Sequence, residues 1–139
     1  KVQQLTVKQH RTKTTNRYFN YIYVRMGAHT LIHKRTEDDI WKNLFELPLV
    51  ETEKDLSEEE FLACPQFHAL FAEGEVRMVR TLLRGVKHVL SHRVIYTNFY
   101  EVTLPDNSSS FSSYQRVAVE DLGRYAVPRL IHAFLEKYV

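Results

Sequence analysis

Apolar positions along the chain predict β-strands in its first third. Residues 18–24 are aromatic or β-branched apart from Asn20, and residues 29–34 form a second run of similar character. Such runs are typical of strands, and Gly27 between them favours a turn. We therefore predict that the two segments form an antiparallel pair.

A longer β-prone region occupies the second half of the chain. It extends over residues 76–104, and its candidate breaks are Gly85 and the dipeptide 91–92. Residues 105–110 are suited to a turn or loop because they combine proline, aspartate, asparagine and serine. Residues 115–118 could form one more strand.

Two helices are predicted from capping and periodicity. Ser57 and Glu60 have the spacing of a capping box just before the apolar pair 61–62, so a short helix begins there. Pro65 ends it or begins another turn. Apolar residues recur every three or four positions in 128–138, which predicts an amphipathic closing helix. Strands with a short central helix and a C-terminal helix indicate an α+β fold.

Length and composition favour a single domain without disulfides. The chain has 139 residues, of which 44% are hydrophobic and 26% are charged. Residues 1–17 are polar and basic, so we predict a linker or arm there and a folded domain over 18–139. The single cysteine, Cys64, cannot by itself hold zinc or an iron–sulfur cluster; it is expected to be a small buried residue. No apolar run approaches the roughly 20 residues of a membrane helix.

Charge is segregated along the chain, although its net value is only +2. Residues 1–36 and 76–100 contain no acidic residue, whereas residues 37–60 are strongly acidic. Because a phosphate backbone responds to local potential, the acid-free stretches are consistent with a surface that faces a polyanion. The alternative is that these charges are scattered over solvated faces.

Residues able to carry catalysis or bind a metal do not converge in the sequence. His88 and His92 lie four residues apart on a predicted strand, without a nearby carboxylate or cysteine to complete a zinc site. Ser91 and His92 are adjacent, and adjacent strand residues face opposite sides of a sheet, so a nucleophile–base pair is not expected. The consecutive glutamates 58–60 fan out around a helix rather than converging on one ion.

Aromatic residues are expected mainly in the core. Their alternation along strands is typical of core packing, and stacking on nucleic-acid bases is the alternative. Trp41 is interpreted as a core or cleft-wall residue. The strand aromatics are Tyr18, Tyr21, Tyr23, Tyr96, Phe99 and Tyr100.

Four segments resemble the MutY family of adenine DNA glycosylases, in the family's order. Residues 7–13 resemble the basic segment that joins the family's catalytic half to its C-terminal domain. Residues 31–35 and 40–48 resemble a strand with a basic end followed by a Gly-Leu-Trp-Glu-Phe-Pro motif. Three positions of that motif differ here, with Asn43 for Gly, Phe45 for Trp and Leu47 for Phe.

The remaining two segments lie in the second half of the chain. Residues 87–92 resemble the family's His-x-Phe-Ser-His loop, with Leu90 in place of phenylalanine. Residues 125–128 resemble the Tyr-Ala-x-Pro sequence that opens the family's last helix.

The resemblance implies a Nudix-like C-terminal domain with a mixed or antiparallel sheet, whose role is recognition of 8-oxoguanine mispaired with adenine. In this family the catalytic carboxylates and a [4Fe–4S] cluster belong to an N-terminal helical half. No catalytic residue, metal or cofactor is therefore expected in this sequence, although an enzyme carrying the domain is a glycosylase. The implied partner is double-stranded DNA that contains 8-oxoguanine:adenine mispairs. The resemblance implies no membrane partner, and it implies a location in the bacterial cytoplasm.

The resemblance also assigns site residues. In the family, the serine of the His-x-Phe-Ser-His loop contacts the edge of 8-oxoguanine, and that role carries over to Ser91. The predicted lesion- and DNA-binding set is Lys87, His88, Leu90, Ser91, His92 and Arg93.

Two alternatives remain open. An active Nudix hydrolase of oxidised nucleotides holds Mg²⁺ through glutamates in a Gly-x5-Glu-x7-Arg-Glu-x-x-Glu-Glu frame. After Pro48 the sequence has no Arg-Glu pair and no glycine before Gly74, so this activity is not expected. The other alternative is a module that binds RNA or protein.

Overall fold

The computed structural model describes residues 15–139, so most of the predicted basic arm lies outside the described residues. The strands are β1 (Thr15–Arg25), β2 (His29–Lys34), β3 (Phe45–Glu46), β4 (Leu49–Thr52), β5 (Met78–Leu90), β6 (Arg93–Thr103) and β7 (Gln115–Ala118). The helices are α1 (Glu58–Ala63), α2 (Pro65–His68) and α3 (Arg129–Tyr138), and a 3₁₀-helix covers Val119–Arg124.

The strands form two sheets, ordered β4-β1-β6-β5 and β3-β2-β7. β1 runs parallel to β6, with residues 15–25 in register with 93–103, and the other pairings are antiparallel. This pairing begins three residues before the predicted strand start, because Thr15 already lies opposite Arg93. One mixed sheet, one antiparallel sheet and a few short helices confirm the α+β fold.

The predicted pairing of the first two strands is wrong. A turn does form at Gly27, whose φ is 60°, and Met26 and His29 make an isolated antiparallel bridge there. Beyond that bridge the strands separate, and β1 bonds to β6 over residues 15–25 and to β4 over residues 18–21. β2 pairs instead with β3 and β7.

The four-stranded sheet separates two hydrophobic cores. Alternate residues of β1 and β6 point to opposite faces. On one face, which we call the α3 core, Phe99 stacks on Phe134 of α3 with ring centroids 4.1 Å apart. On the other, the α1 core, Tyr100 stacks on Phe61 of α1 at 4.7 Å. Most of the strand aromatics are therefore buried, as predicted.

The short helices begin where capping predicts. The Ser57 hydroxyl accepts from the Glu60 backbone N–H, and the Glu60 carboxylate accepts from the Ser57 N–H, which confirms the capping box. Pro65 begins α2 rather than only ending α1. Cys64, predicted as buried, is only half-buried, because it lies at the junction of these two helices. No helix in residues 15–139 combines the length and hydropathy needed to cross a bilayer.

Candidate nucleic-acid interface at the β5–β6 turn

β5 and β6 are joined by a two-residue turn, Ser91 and His92, which is closed by the pairing of Leu90 with Arg93. Both turn residues are exposed. The backbone N–H of Thr15 donates to the carbonyl oxygen of His92 at 3.1 Å. This bond ties the turn to the start of β1, so Ser91 lies exposed at the end of the sheet on an anchored backbone. Since Ser91 and His92 form a turn, the expectation that they face opposite sides of a strand does not apply to them.

The fold places the six predicted site residues on one hairpin, but with different surroundings. Leu90 is half-buried against the α3 core, and His88, two residues earlier in β5, is half-buried too. Lys87 is exposed, and the Arg93 side chain keeps 43% of its area in solvent. The polar members around the Ser91 turn therefore remain accessible to a ligand.

A β-bulge shapes the hairpin. The pairing of β5 with β6 shifts register between Leu83 and Val86, and Gly85 at that point has a φ of 71°. The predicted break at Gly85 is thus a bulge inside one continuous strand. Bulges bend a strand and increase its twist, and they commonly re-aim side chains beside functional sites.

A chain of buried amides fixes this bulge to the rest of the sheet. The Asn98 side-chain oxygen accepts from the Gly85 backbone N–H at 2.8 Å. The Asn98 Nδ2 donates to Asn20 Oδ1 at 3.0 Å, and Asn20 Nδ2 donates to the Val50 carbonyl at 3.1 Å. The chain crosses β5, β6, β1 and β4, so it ties the bulge of β5 to the other three strands of the sheet.

Two half-buried tyrosines lie on the same side of the sheet as Lys87. Tyr18 and Tyr96 are cross-strand neighbours, and their rings stack with centroids 5.6 Å apart and an interplanar angle of 16°. Lys87 lies directly opposite Tyr96 on β5. Val89, two pairs closer to the turn, is 65% exposed. A basic, aromatic and apolar surface therefore adjoins the Ser91 turn.

Several arginines of the acid-free stretches are paired with carboxylates from other segments. Arg25 and Arg80 both contact the buried carboxylate of Glu101, and Arg93 Nη1 lies 3.8 Å from Asp39 Oδ1. The segregated charge of the sequence therefore does not give an equally basic surface, because the fold brings acidic side chains back to these arginines.

An arginine–carboxylate network next to the hairpin was not predicted from the sequence. Arg17 donates to Asp39 at 2.9 Å and to Glu51 at 2.8 Å. Arg35 donates to Asp39 at 3.0 Å and to Glu46 at 2.9 Å. The Arg17 guanidinium lowers the pKa of Asp39 from 3.8 to about 2. These groups line a cavity of about 410 Å³. The acid-free first segment and the acidic loop were visible in the sequence, but nothing there showed which charges would meet.

Comparison with known families decides the broader identity. The family model described as NUDIX domain matches residues 20–137. The chain belongs to the Nudix family. A comparison with curated proteins found no match.

Solved structures support the Nudix fold. The C-terminal domain of mouse MUTYH, solved in complex with human PCNA, has a TM-score of 0.65 and 15% identity over 88% of this chain and 86% of that one. The MutT protein from Methanosarcina mazei Go1 has a TM-score of 0.58 and 17% identity, over 89% and 93%. The E. coli ORF135 protein has a TM-score of 0.57 and 14% identity, over 88% of both chains. At these identities the likeness shows the fold alone.

The Nudix domain has an unusual backbone at Asn43. Its φ is 73°, in the left-handed region where glycine is least strained and asparagine is the next most tolerated. The MutY-like motif has glycine at this position. Asparagine at this position therefore tolerates the left-handed backbone that glycine would adopt with the least strain.

The described residues do not fit the Mg²⁺ site of Nudix hydrolysis. In α1, Glu58, Glu59 and Glu60 are consecutive, and the Glu60 carboxylate accepts the Ser57 N–H at 2.8 Å. The Glu46 carboxylate is already bound by Arg35 and by the Tyr21 hydroxyl, which donates to it at 2.7 Å. Within residues 15–139, no three His, Cys, Asp or Glu side chains group to hold a metal.

Proposed function

We propose that this Nudix domain recognises 8-oxoguanine in DNA, as the lesion-binding domain of an adenine DNA glycosylase. The observation that carries the proposal is the anchored, exposed turn with Ser91 at its tip, flanked by Lys87 and Arg93. The MutY-like residues 87–92 coincide with this turn. The proposed partner is duplex DNA that contains 8-oxoguanine:adenine mispairs.

The chemistry of Ser91 suits this lesion. Guanine has a bare acceptor at N7, whereas 8-oxoguanine has a hydrogen on N7 and an added oxygen on C8. A serine hydroxyl accepts a hydrogen bond from N7–H, and it can rotate to donate to the neighbouring oxygen. Because the same rotation lets it donate to N7 of guanine, discrimination is limited to the order of 1–2 kcal/mol.

Two further observations support a nucleic-acid partner. The Tyr18–Tyr96 surface with Lys87 offers an ammonium and two aromatic rings next to the turn, and such groups contact phosphate, sugar and bases. The fold also resembles the C-terminal domain of mouse MUTYH. In the MutY family, adenine excision belongs to the N-terminal catalytic half. We therefore assign no excision chemistry to the residues of this chain.

Duplex binding tests the proposal directly. Fluorescence anisotropy should compare labelled duplexes with an 8-oxoguanine:adenine pair, a guanine:adenine pair and a normal pair, together with an RNA of matched length. We expect the lesion duplex to bind most tightly and binding to weaken as salt rises, because phosphate contacts release counterions. Equal affinity for the three duplexes would refute lesion recognition, and a preference for RNA would favour an RNA-binding module.

The second candidate is an active Nudix hydrolase of oxidised nucleotides. The likeness to the MutT protein from Methanosarcina mazei Go1 and the cavity lined by Arg17 and Arg35 favour it. The test is incubation with 8-oxo-dGTP and Mg²⁺, with product measured by chromatography. Under the proposed function no turnover above a buffer blank is expected, since Asp39, Glu46 and Glu51 at this cavity are paired with arginines.

A further inference from the structure

The loop of residues 36–44 has a strained and well-supported backbone at Trp41. Its φ is 58°, which is a genuine outlier for a bulky side chain and persists only where the surroundings hold it. Backbone bonds supply that support: Asn43 N–H donates to the Arg35 carbonyl at 2.6 Å, and Leu44 N–H donates to the Trp41 carbonyl at 3.1 Å. The backbone of the loop therefore fixes the direction in which the Trp41 side chain leaves it.

The ring of Trp41 connects the α3 core to the hairpin. One contact is an edge-to-face approach to the fully buried Phe19, with ring centroids 6.0 Å apart and an interplanar angle of 80°. The other contact is with His88 of β5, at 6.0 Å and 61°. His88 lies three residues before Ser91, so Trp41 supports the strand that leads into the turn.

The same loop also contacts the other strand of the hairpin. Asp39 lies 3.8 Å from the Arg93 guanidinium at the start of β6. Asp39 is itself held by Arg17 and Arg35. Residues 36–44 thus contact the hairpin on both sides of the turn.

The hairpin needs such support because β5 is an edge strand. Among the strands of residues 15–139, only β6 hydrogen-bonds to it, in the order β4-β1-β6-β5, and the bulge at Gly85 interrupts that pairing. A site that distinguishes two bases by one hydroxyl must hold that hydroxyl within about 0.5 Å of its productive place. Because an edge strand is paired on one side alone, its end moves more freely than the end of a central strand.

We propose that Trp41 is a positioning residue, whose contact with His88 holds the Ser91 turn where the hydroxyl meets the lesion. The consequence for DNA rests on the proposed function. The restraint on the turn belongs to the protein alone and can be measured without DNA.

NMR relaxation of the backbone amides of residues 90–93 measures the restraint. In the wild type we expect order parameters of about 0.85, and in Trp41→Ala and His88→Ala values below about 0.6. Trp41→Phe should retain most of the order because it keeps an aromatic edge. The matched control is Tyr125→Ala, which removes another half-buried ring of the same core, packed on Phe45 at 5.0 Å.

Duplex binding by the same variants measures the consequence. Trp41→Ala and His88→Ala should lower the preference for 8-oxoguanine:adenine over guanine:adenine by about fivefold, the worth of one neutral hydrogen bond. Tyr125→Ala should leave that ratio unchanged. If Trp41→Ala does not fold, His88→Ala and Trp41→Phe decide the result.

The two proposals fail in different ways. A wild-type chain without any lesion preference refutes the proposed function, and the order parameters alone then judge the positioning role. Turn order parameters that are unchanged in His88→Ala and Trp41→Ala, or equally lowered in Tyr125→Ala, overturn the positioning role even if the lesion preference is real.

Discussion

The backbone N–H of Gly85 donates to the side-chain oxygen of Asn98 at 2.8 Å, and this bond closes the bulge in β5. Asn98 is only 4% exposed. A local irregularity in an edge strand is therefore held by a buried side chain of the neighbouring strand. The hairpin geometry and the stability of the sheet should consequently depend on the same residue.

Asn98→Ala should destabilise the protein by about 1–3 kcal/mol, because it leaves the buried Asn20 Oδ1 without its donor and removes the acceptor of the Gly85 N–H. Urea denaturation monitored by circular dichroism measures this change. Asn107→Ala, in the exposed loop after Pro105, is the matched control and should have an effect near zero. An effect of Asn98→Ala no larger than that of the control would show that the buried amides do not contribute.

Asn43 should accept glycine but not alanine. Its φ of 73° costs about 1–2 kcal/mol for a residue with a β-carbon, and asparagine offsets part of this through local hydrogen bonds. We expect Asn43→Ala to lower the melting temperature and Asn43→Gly to preserve or raise it. Calorimetry of both variants tests the prediction, and a higher melting temperature for Asn43→Ala than for Asn43→Gly would contradict it.

Asp39 should make stability depend on pH in acid. Its pKa falls from 3.8 to about 2 in the folded state, chiefly through the Arg17 hydrogen bond. A lowered carboxyl pKa gives stability that is complete above the unfolded pKa and is lost as pH falls through the folded one. The difference in unfolding free energy between the wild type and Asp39→Asn should therefore become smaller as pH falls from about 4 to 2.

Glu75 provides a comparison in the same pH range. Its pKa is lowered from 4.5 to about 2, chiefly by the Ser108 hydroxyl. Glu75→Gln should therefore retain the contribution of Asp39 to the pH dependence of stability. The double variant Asp39→Asn/Glu75→Gln should show the flattest dependence of unfolding free energy on pH. If the unfolding free energies of the wild type and Asp39→Asn differ by a constant amount across this pH range, the lowered pKa of Asp39 is contradicted.

Ser91→Ala tests lesion recognition in an adenine glycosylase that carries this domain. Adenine excision opposite 8-oxoguanine should slow more than excision opposite guanine, by a ratio that corresponds to about 1–2 kcal/mol. Single-turnover kinetics measures both rates. Equal effects on the two substrates, with the fold intact, would mean that Ser91 does not contact the lesion.

Lys87→Ala should weaken binding to every duplex by a similar factor, since contacts with the phosphate backbone do not distinguish bases. The slope of log affinity against log salt should decrease by about one. The exposed Lys137 on α3 provides the control, and Lys137→Ala should change neither quantity. A loss confined to the lesion duplex would instead place Lys87 at the base.

The sequence by itself determined most local structure. Ser57 and Glu60 specify the start of α1 because a capping box depends only on residues three positions apart. The spacing of apolar residues in 128–138 likewise specifies α3, since a helix buries one stripe of its own surface. The resemblance of four segments to MutY correctly predicted the Nudix fold. The contact of Ser91 and its neighbours with the lesion stays a prediction.

Only the tertiary structure decided which distant segments meet. Pairing of β1 with β6 joins residues about eighty positions apart, and no local pattern distinguishes it from the nearer hairpin with β2. The choice follows from burying both faces of β1 between two cores while its two edges bond to β4 and β6. The partners of Arg17 and Arg35, and the support of His88 by Trp41, depend on that long-range arrangement. The separation of two residues along the sequence does not show how far apart their side chains lie in the folded protein.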